Sequence, residues 1–210
     1  MGGGKAVESR WTAGNLKFYD KSGNVIATFD GANQRLYIAE RRSVVIPLSA
    51  FRELSSDDIP AVAIASGGSG IMGKDATPNF EAVNGATDRA QQLQWAASNV
   101  DKISASLMLP VDCDGTRALG VELIAGKTGT MDTVALNVSA WFDRGDTEVT
   151  GTSANLANGT GAALAEVELA AADVPDTPGQ MTLVLYPGTH GNDTVELYGV
   201  RVNYWSKAAA

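Results

Sequence analysis

Four places in the chain carry side chains able to do chemistry, and each has a plainer structural reading. In Pro110-Val111-Asp112-Cys113-Asp114-Gly115-Thr116, two carboxylates flank the only cysteine. Calcium takes such oxygens, but the full D-x-D-x-D-G loop with its distant glutamate is absent. Aspartates that bond their own backbone and fix a turn account for the segment. Cys113 has no base beside it in sequence, which leaves a small reduced thiol rather than a nucleophile.

The only histidine, His190, lies in Tyr186-Pro187-Gly188-Thr189-His190-Gly191-Asn192-Asp193-Thr194. With Asp193 it could act as a general base, yet no G-x-S-x-G nucleophile motif occurs. A histidine that hydrogen-bonds to fix its loop, or touches a neighbouring subunit, is the expectation. Glu166 and Glu168 share one side of a strand, and a pair of carboxylates is what glycoside hydrolysis uses. Alternation puts them on a solvated face with no aromatic platform in view. Arg144-Gly145-Asp146 reads as a hairpin turn rather than an adhesion motif. The cluster Ser66-Gly67-Gly68-Ser69-Gly70 is no phosphate cradle, because no Gly-Lys-Ser/Thr follows a strand. The expectation is a protein that is not an enzyme and holds no cofactor and no metal.

What must position these residues is β-structure. Over residues 101–205, apolar and polar residues alternate in segment after segment, with Gly, Pro, Asn and Asp between. Ile103, Ala105, Leu107 and Leu109 alternate with Ser104, Ser106 and Met108. Val134, Leu136, Val138, Ala140 and Phe142 do the same, and weaker forms recur at 119–124, 164–169 and 181–186. Strands this close together leave no room for helical crossovers, so the sheets are antiparallel and pack face to face. The fold class is all-β, an antiparallel β-sandwich or jelly roll over residues 79–206. Near the end the phase slips: Val195 and Leu197 share one face, and Tyr198, Val200, Val202 and Tyr204 the other. Gly199 marks a bulge there.

Upstream, residues 16–19, 25–29 and 35–38 are three short strands joined by Asp20-Lys21-Ser22-Gly23-Asn24 and Asp30-Gly31-Ala32-Asn33. Three such strands are marginal alone and need a cover from the sandwich or a second copy. Residues 1–10 read as a polar arm. The division is an arm and meander at 1–48, a flexible linker at 49–78 with one helical turn near Leu48, and the sandwich at 79–206. Trp95 falls in a first sandwich strand as core or subunit contact.

Composition limits partners. Sixteen basic residues against 24 acidic give a net charge of −8, which argues against nucleic acid. No run has the length of a membrane span, and the N-terminus has no apolar signal core. One cysteine permits no internal disulfide, as suits a protein made in a reducing cytoplasm. Sequons at Asn137, Asn158 and Asn192 have no meaning outside a glycosylating pathway.

The meander Leu16-Lys17-Phe18-Tyr19-Asp20-Lys21-Ser22-Gly23-Asn24-Val25-Ile26, continued by Phe29-Asp30-Gly31-Ala32-Asn33-Gln34-Arg35-Leu36, resembles hairpin modules at the N-termini of tailed-bacteriophage virion proteins. Ile46-Pro47-Leu48, Thr77-Pro78, Trp95-Ala96-Ala97-Ser98-Asn99, Leu109-Pro110-Val111-Asp112 and Tyr186-Pro187-Gly188-Thr189-His190 are similar to phage structural proteins. The resemblance implies a capsid decoration (cement) protein: a homotrimer on the outer surface of the virion, bound to the major capsid protein and stabilising the shell. Phe18, Tyr19, Val25, Ile26, Phe29, Leu36, Tyr37 and Ile38 are then the expected interface or meander-core residues. The alternative is a head or tail fibre whose sandwich binds a surface glycan, through loops 112–116, 143–146 and 189–193 gathered at one end.

Overall fold

The computed structural model describes residues 8–54, 79–82, 91–142, 147–158, 163–175 and 179–207. The glycine cluster at 66–70, the Arg-Gly-Asp tripeptide, most of the expected linker and residues 1–7 lie outside them.

The chain begins with β1 (Glu8–Thr12), β2 (Asn15–Tyr19), β3 (Val25–Asp30) and β4 (Arg35–Ile38), which form an antiparallel four-stranded sheet in chain order. Its turns follow from side chains that bond their own backbone. Asp20 Oδ1 accepts the Ser22 and Asn24 amides at 2.8 and 2.9 Å, and Asp30 Oδ1 accepts those of Ala32 and Asn33, both at 3.0 Å. β1 departs from the sequence reading, which left residues 1–10 as an arm. Its single large apolar residue, Trp11, gives no alternation to read, and it is ordered by pairing with β2 across all five positions.

A larger departure follows. Residues 41–54 fall in the meander and linker by sequence, yet β5 (Arg41–Ile46) pairs with the last strand of the sandwich. The 3-10 turn Leu48–Ala50 and β6 (Arg52–Glu53) come next, and Ile46, Leu48, Phe51 and Leu54 are buried. Four buried apolar side chains at roughly 1.5–3 kcal/mol each make this stretch part of the core rather than a tether.

The remaining strands are β7 (Asn79–Ala82), β8 (Gln91–Trp95), β9 (Ile103–Met108), β10 (Leu119–Thr128), β11 (Leu136–Phe142), β12 (Val149–Thr152), β13 (Ala163–Leu169), β14 (Gln180–Pro187) and β15 (Thr194–Trp205). One sheet runs β13-β10-β15-β8-β7, with β5 sharing the β15 edge that β8 uses further along. The other runs β12-β11-β14-β9-β6. All the strand pairs are antiparallel, and the two sheets form an antiparallel sandwich. Leu93, Trp95, Leu123, Val195 and Val202 of the first sheet are fully buried, as are Ile103, Leu136, Phe142, Met181 and Leu183 of the second. Trp95 is core, and its indole donates to the Asp101 carbonyl at 2.9 Å. At one edge β12 closes on β13, and Gly151 lies so close to Val167 Cγ1 that a Cβ would overlap it.

The slip at Gly199 is a bulge. Ile124 pairs with Gly199, while the next residue, Ala125, pairs with Leu197, so Tyr198 is the extra residue. The bulge returns Val200, Val202 and Tyr204 to the core side that Val195 and Leu197 occupy, and all five are buried. Among the described residues no helix is long and apolar enough to cross a membrane.

Candidate functional site

The bulge also decides what faces out. Beyond it, Arg201, Asn203 and Trp205 alternate with the buried Val200, Val202 and Tyr204, and so lie on the outer face of the sheet. Register then sets their neighbours. Gly120 stands opposite Asn203 and Glu122 opposite Arg201 on β10; Glu168 and Glu166 follow on β13; Ser43 and Val45 lie on β5. Four strands far apart in sequence thus bring three carboxylates, two guanidinium groups, an amide and an indole to one surface.

These groups are held by one another. Arg201 pairs with the buried Glu122 carboxylate, whose second oxygen accepts from Asn203 Nδ2 at 3.1 Å. Arg41 reaches across the sheet to pair with Glu166. Their contact passes over Gly120, where a Cβ would overlap the Glu166 carboxylate and come within 3.1 Å of Arg41 Nη2. The glycine is therefore the bare floor of a hollow of about 340 Å³, lined by Arg41, Gly120, Glu166, Glu168, Asn203 and Trp205. Glu168 is exposed and has no partner among the described residues. Beyond Arg201 a second hollow of about 290 Å³ is lined by Val45, Ile124 and Leu164, all exposed aliphatics.

The sequence placed Glu166 and Glu168 on this face but saw no aromatic beside them. Trp205 is that aromatic. Its outward phase becomes readable once the bulge is placed, counting back from Asn203 and Arg201. The Arg117 guanidinium stacks on its ring at 4.7 Å.

The expected loop cluster does not form. Loop 112–116 sits at the C-terminal end of β15, where Asp114 N donates to Trp205 O at 2.8 Å and Lys207 N to Asp112 O at 2.7 Å. Loop 189–193 precedes Thr194 at the other end. Twelve residues of strand, about 40 Å, separate them. Within the first loop Asp114 Oδ1 accepts from the Thr116 amide and hydroxyl at 3.2 and 2.6 Å, the turn anticipated from sequence. Cys113 is buried, and burial pushes its thiol up to about 11. In the second loop His190 is buried with Nδ1 2.9 Å from Gly188 O and Nε2 3.1 Å from Ala96 O, so it fastens the loop to the end of β8. Asp193 is committed to Lys127, whose Nζ donates to it at 2.6 Å. Among the described residues no three His, Cys, Asp or Glu side chains group as metal ligands.

The eight meander residues singled out by sequence divide by register. Phe18, Phe29, Leu36 and Ile38 share one face of the N-terminal sheet with Trp11 and Leu16; Tyr19 and Tyr37 lie on the other, and Ile26 falls at a register shift next to Val25. On the shared face Trp11 is 69% exposed, Leu36 and Ile38 58% and Phe29 40%. On the opposite face the Arg10 guanidinium stacks over Tyr19 at 5.2 Å.

No family model matches the chain, and no curated protein matches it. Among solved structures it is similar to TmCBM61 in complex with beta-1,4-galactotriose, at 9% identity over 77% of this chain and 86% of that one, with a TM-score of 0.36. A family 30 carbohydrate-binding module of a cellulosomal cellulase of Clostridium thermocellum gives 10% identity, 77% and 96% coverage and a TM-score of 0.41. The enzymatically active domain of tailspike protein 4 of bacteriophage CBA120 gives 10% identity, 78% and 19% coverage and a TM-score of 0.33. At this similarity none of them carries a residue or an activity across.

Proposed function

We propose that the chain is a non-catalytic recognition protein whose sandwich binds a glycan across the outer face of the sheet that contains β15. The observation that carries this reading is the hollow over Gly120, with Trp205 at its rim and Arg41, Glu166, Glu168 and Asn203 around a floor without a side chain. A sugar offers the two surfaces these groups meet. Its C–H faces pack on an indole, and its hydroxyls accept from guanidinium and amide groups and donate to carboxylates. Ion pairs between the lining residues hold the donors and acceptors in place before a ligand arrives, which lowers the ordering cost of binding. The aliphatic hollow beside it extends the face for an oligosaccharide rather than a single ring.

Hydrolysis fits less well. A glycosidase needs one free acid and one free carboxylate across the scissile bond. Here Glu122 and Glu166 are tied to Arg201 and Arg41, leaving only Glu168 of the three unengaged among the described residues.

A glycan array followed by titration calorimetry tests the reading. Glu168→Ala and Arg41→Ala should each weaken a confirmed ligand about tenfold or more, the scale of a lost charged hydrogen bond, with melting little changed. An array without a hit would overturn it.

A second reading is favoured by the open apolar face of the N-terminal sheet, which calls for a partner. In it the chain is a capsid decoration protein, a homotrimer on the outer surface of a phage shell assembled in the host cytoplasm, with the major capsid protein as its partner. Shells with and without the chain would be melted side by side; equal melting temperatures at full occupancy would end this reading.

A further inference from the structure

One row of residues crosses the middle of the hollow: Asn203 on β15, Gly120 on β10 and Glu168 on β13, each opposite the next in register. The two outer residues carry acceptors that nothing meets. Asn203 is only 7% exposed, and its Nδ2 donates to Glu122 Oε2 at 3.1 Å. A carboxylate only accepts, so the amide nitrogen is fixed on that side and Oδ1 is left without a donor among the described residues, in a side chain that lines the hollow. Glu168 is likewise unpartnered. Their strands lie roughly 10 Å apart, with a residue that has no side chain between them.

Charge points the same way. Of the five charged side chains on this face, Arg41 and Arg201 are positive and Glu122, Glu166 and Glu168 negative, which leaves −1 within a chain of net −8. Both guanidinium groups already pair, with Glu166 and Glu122, and Glu168 carries the charge left over.

We propose, on the basis of the glycan reading above, that the ligand is a glycan with free amino groups, its protonated amine seated between Glu168 and Asn203 Oδ1. An ammonium has three donors and no acceptor, which matches two groups that can only accept. Its bond to Glu168 is charge-assisted and roughly twice as strong as one from a neutral hydroxyl. N-acetylation removes the charge and two of the donors. A uronic acid would set a second carboxylate against Glu168, where like charges repel and both nearby cations are spent. Trp205 at the rim offers an indole for the C–H face of the ring, which a flexible amine chain lacks.

A glycan array tests this on the full chain, at a pH where the amines are protonated. It carries glucosamine and galactosamine oligosaccharides beside N-acetylated, neutral and uronic-acid counterparts. Amino glycans should lead, each about tenfold or more tighter than its N-acetylated counterpart, the scale of a hydrogen bond to a charged group. In calorimetry with the leading amino oligosaccharide, Glu168→Gln keeps the shape, removes the charge and should erase that preference. Glu148→Gln, the same loss of charge on an exposed residue beside β12 of the opposite sheet, should keep it. Neutral or acidic glycans at the head of the array overturn the amine and leave the glycan reading standing; an array without a hit removes both. A preference that survives Glu168→Gln, or falls equally with Glu148→Gln, also overturns it. So does tetralysine binding as tightly as the amino oligosaccharide, because the amine would then answer only the overall charge of the chain.

Discussion

Asp132 and Asp193 each accept the other's backbone amide: Asp193 N donates to Asp132 Oδ2 at 2.7 Å, and Asp132 N donates to Asp193 Oδ2 at 3.0 Å. The exchange locks the segment after β10 to the loop before β15, and each carboxylate gathers more. Asp132 takes the Gly191 and Asn192 amides at 3.1 and 2.7 Å, and Asp193 takes the Lys127 ammonium.

The clamp sets an acid limit. Amides of Asp193 and Asn192 bonding its charged form hold Asp132 down to about 2, against about 4 for an unfolded aspartate. A lowered folded value means stability present above pH 4 and lost as pH falls through about 2. Denaturant titrations should show wild-type stability declining across that window, with a shallower decline for Asp132→Asn. Equal slopes would remove the clamp from the acid response.

Gly151 permits the edge of the sandwich to close, since a methyl group there meets Val167 Cγ1. Gly151→Ala should cost about 1–3 kcal/mol through overpacking, read from chemical denaturation. An unchanged midpoint would show that β12 has slack against β13.

Gly120 gives the opposite expectation. The atoms a Cβ would meet are the ends of the flexible Glu166 and Arg41 side chains, which can move aside. Gly120→Ala should therefore cost no more than about 1 kcal/mol, the scale of the exposed Arg41–Glu166 pair it would displace, while it weakens glycan binding. Undiminished binding would take the hollow out of the site.

Arg117 joins the two sheet systems. Its Nη2 donates to Val25 O at 3.2 Å while its guanidinium stacks on Trp205 and pairs with Asp114 at 3.5 Å. Arg117→Ala should cost about 1–3 kcal/mol, and hydrogen exchange should speed up in β3 more than in β11. Uniform protection would contradict a joint at this residue.

Cys113 reports on unfolding. Burial first, and the neighbouring Asp112 and Asp114 second, push its thiol up to about 11, so thiolate is scarce at neutral pH. Alkylation should be slow in the folded protein and fast in denaturant, measured by mass shift over time. Rapid labelling of the native chain would mean the site opens.

How much was legible followed the range of the interactions involved. Alternation at 103–109 and 134–142 gave strands whose inward residues are the buried ones, and one phase slip located the bulge at Gly199. β5 escaped because its partner lies about 160 residues away; nothing local tells Val44 and Ile46 from the end of a meander. The hollow escaped for the same reason. Glu166 was placed on its face, but Arg41 arrives from 125 positions upstream, and Trp205 turns outward through a bulge that shifts every later residue. Trp11 stood in a segment with no second apolar residue to signal a strand.

The place of β15 reaches back to how the polypeptide is made. This strand borders β10 on one side and both β5 and β8 on the other, so residues 41–46 have no partner strand, and the β7–β8 pair no sheet to join, until β15 has left the ribosome. The larger sheet is thus completed after translation of its last strand, when β15 joins the β10–β13 and β7–β8 pairs and takes up β5, which has waited unpaired through more than half of synthesis. The N-terminal sheet, built from neighbours in sequence, can form long before, and its apolar face is then the first finished surface the nascent chain shows the cell.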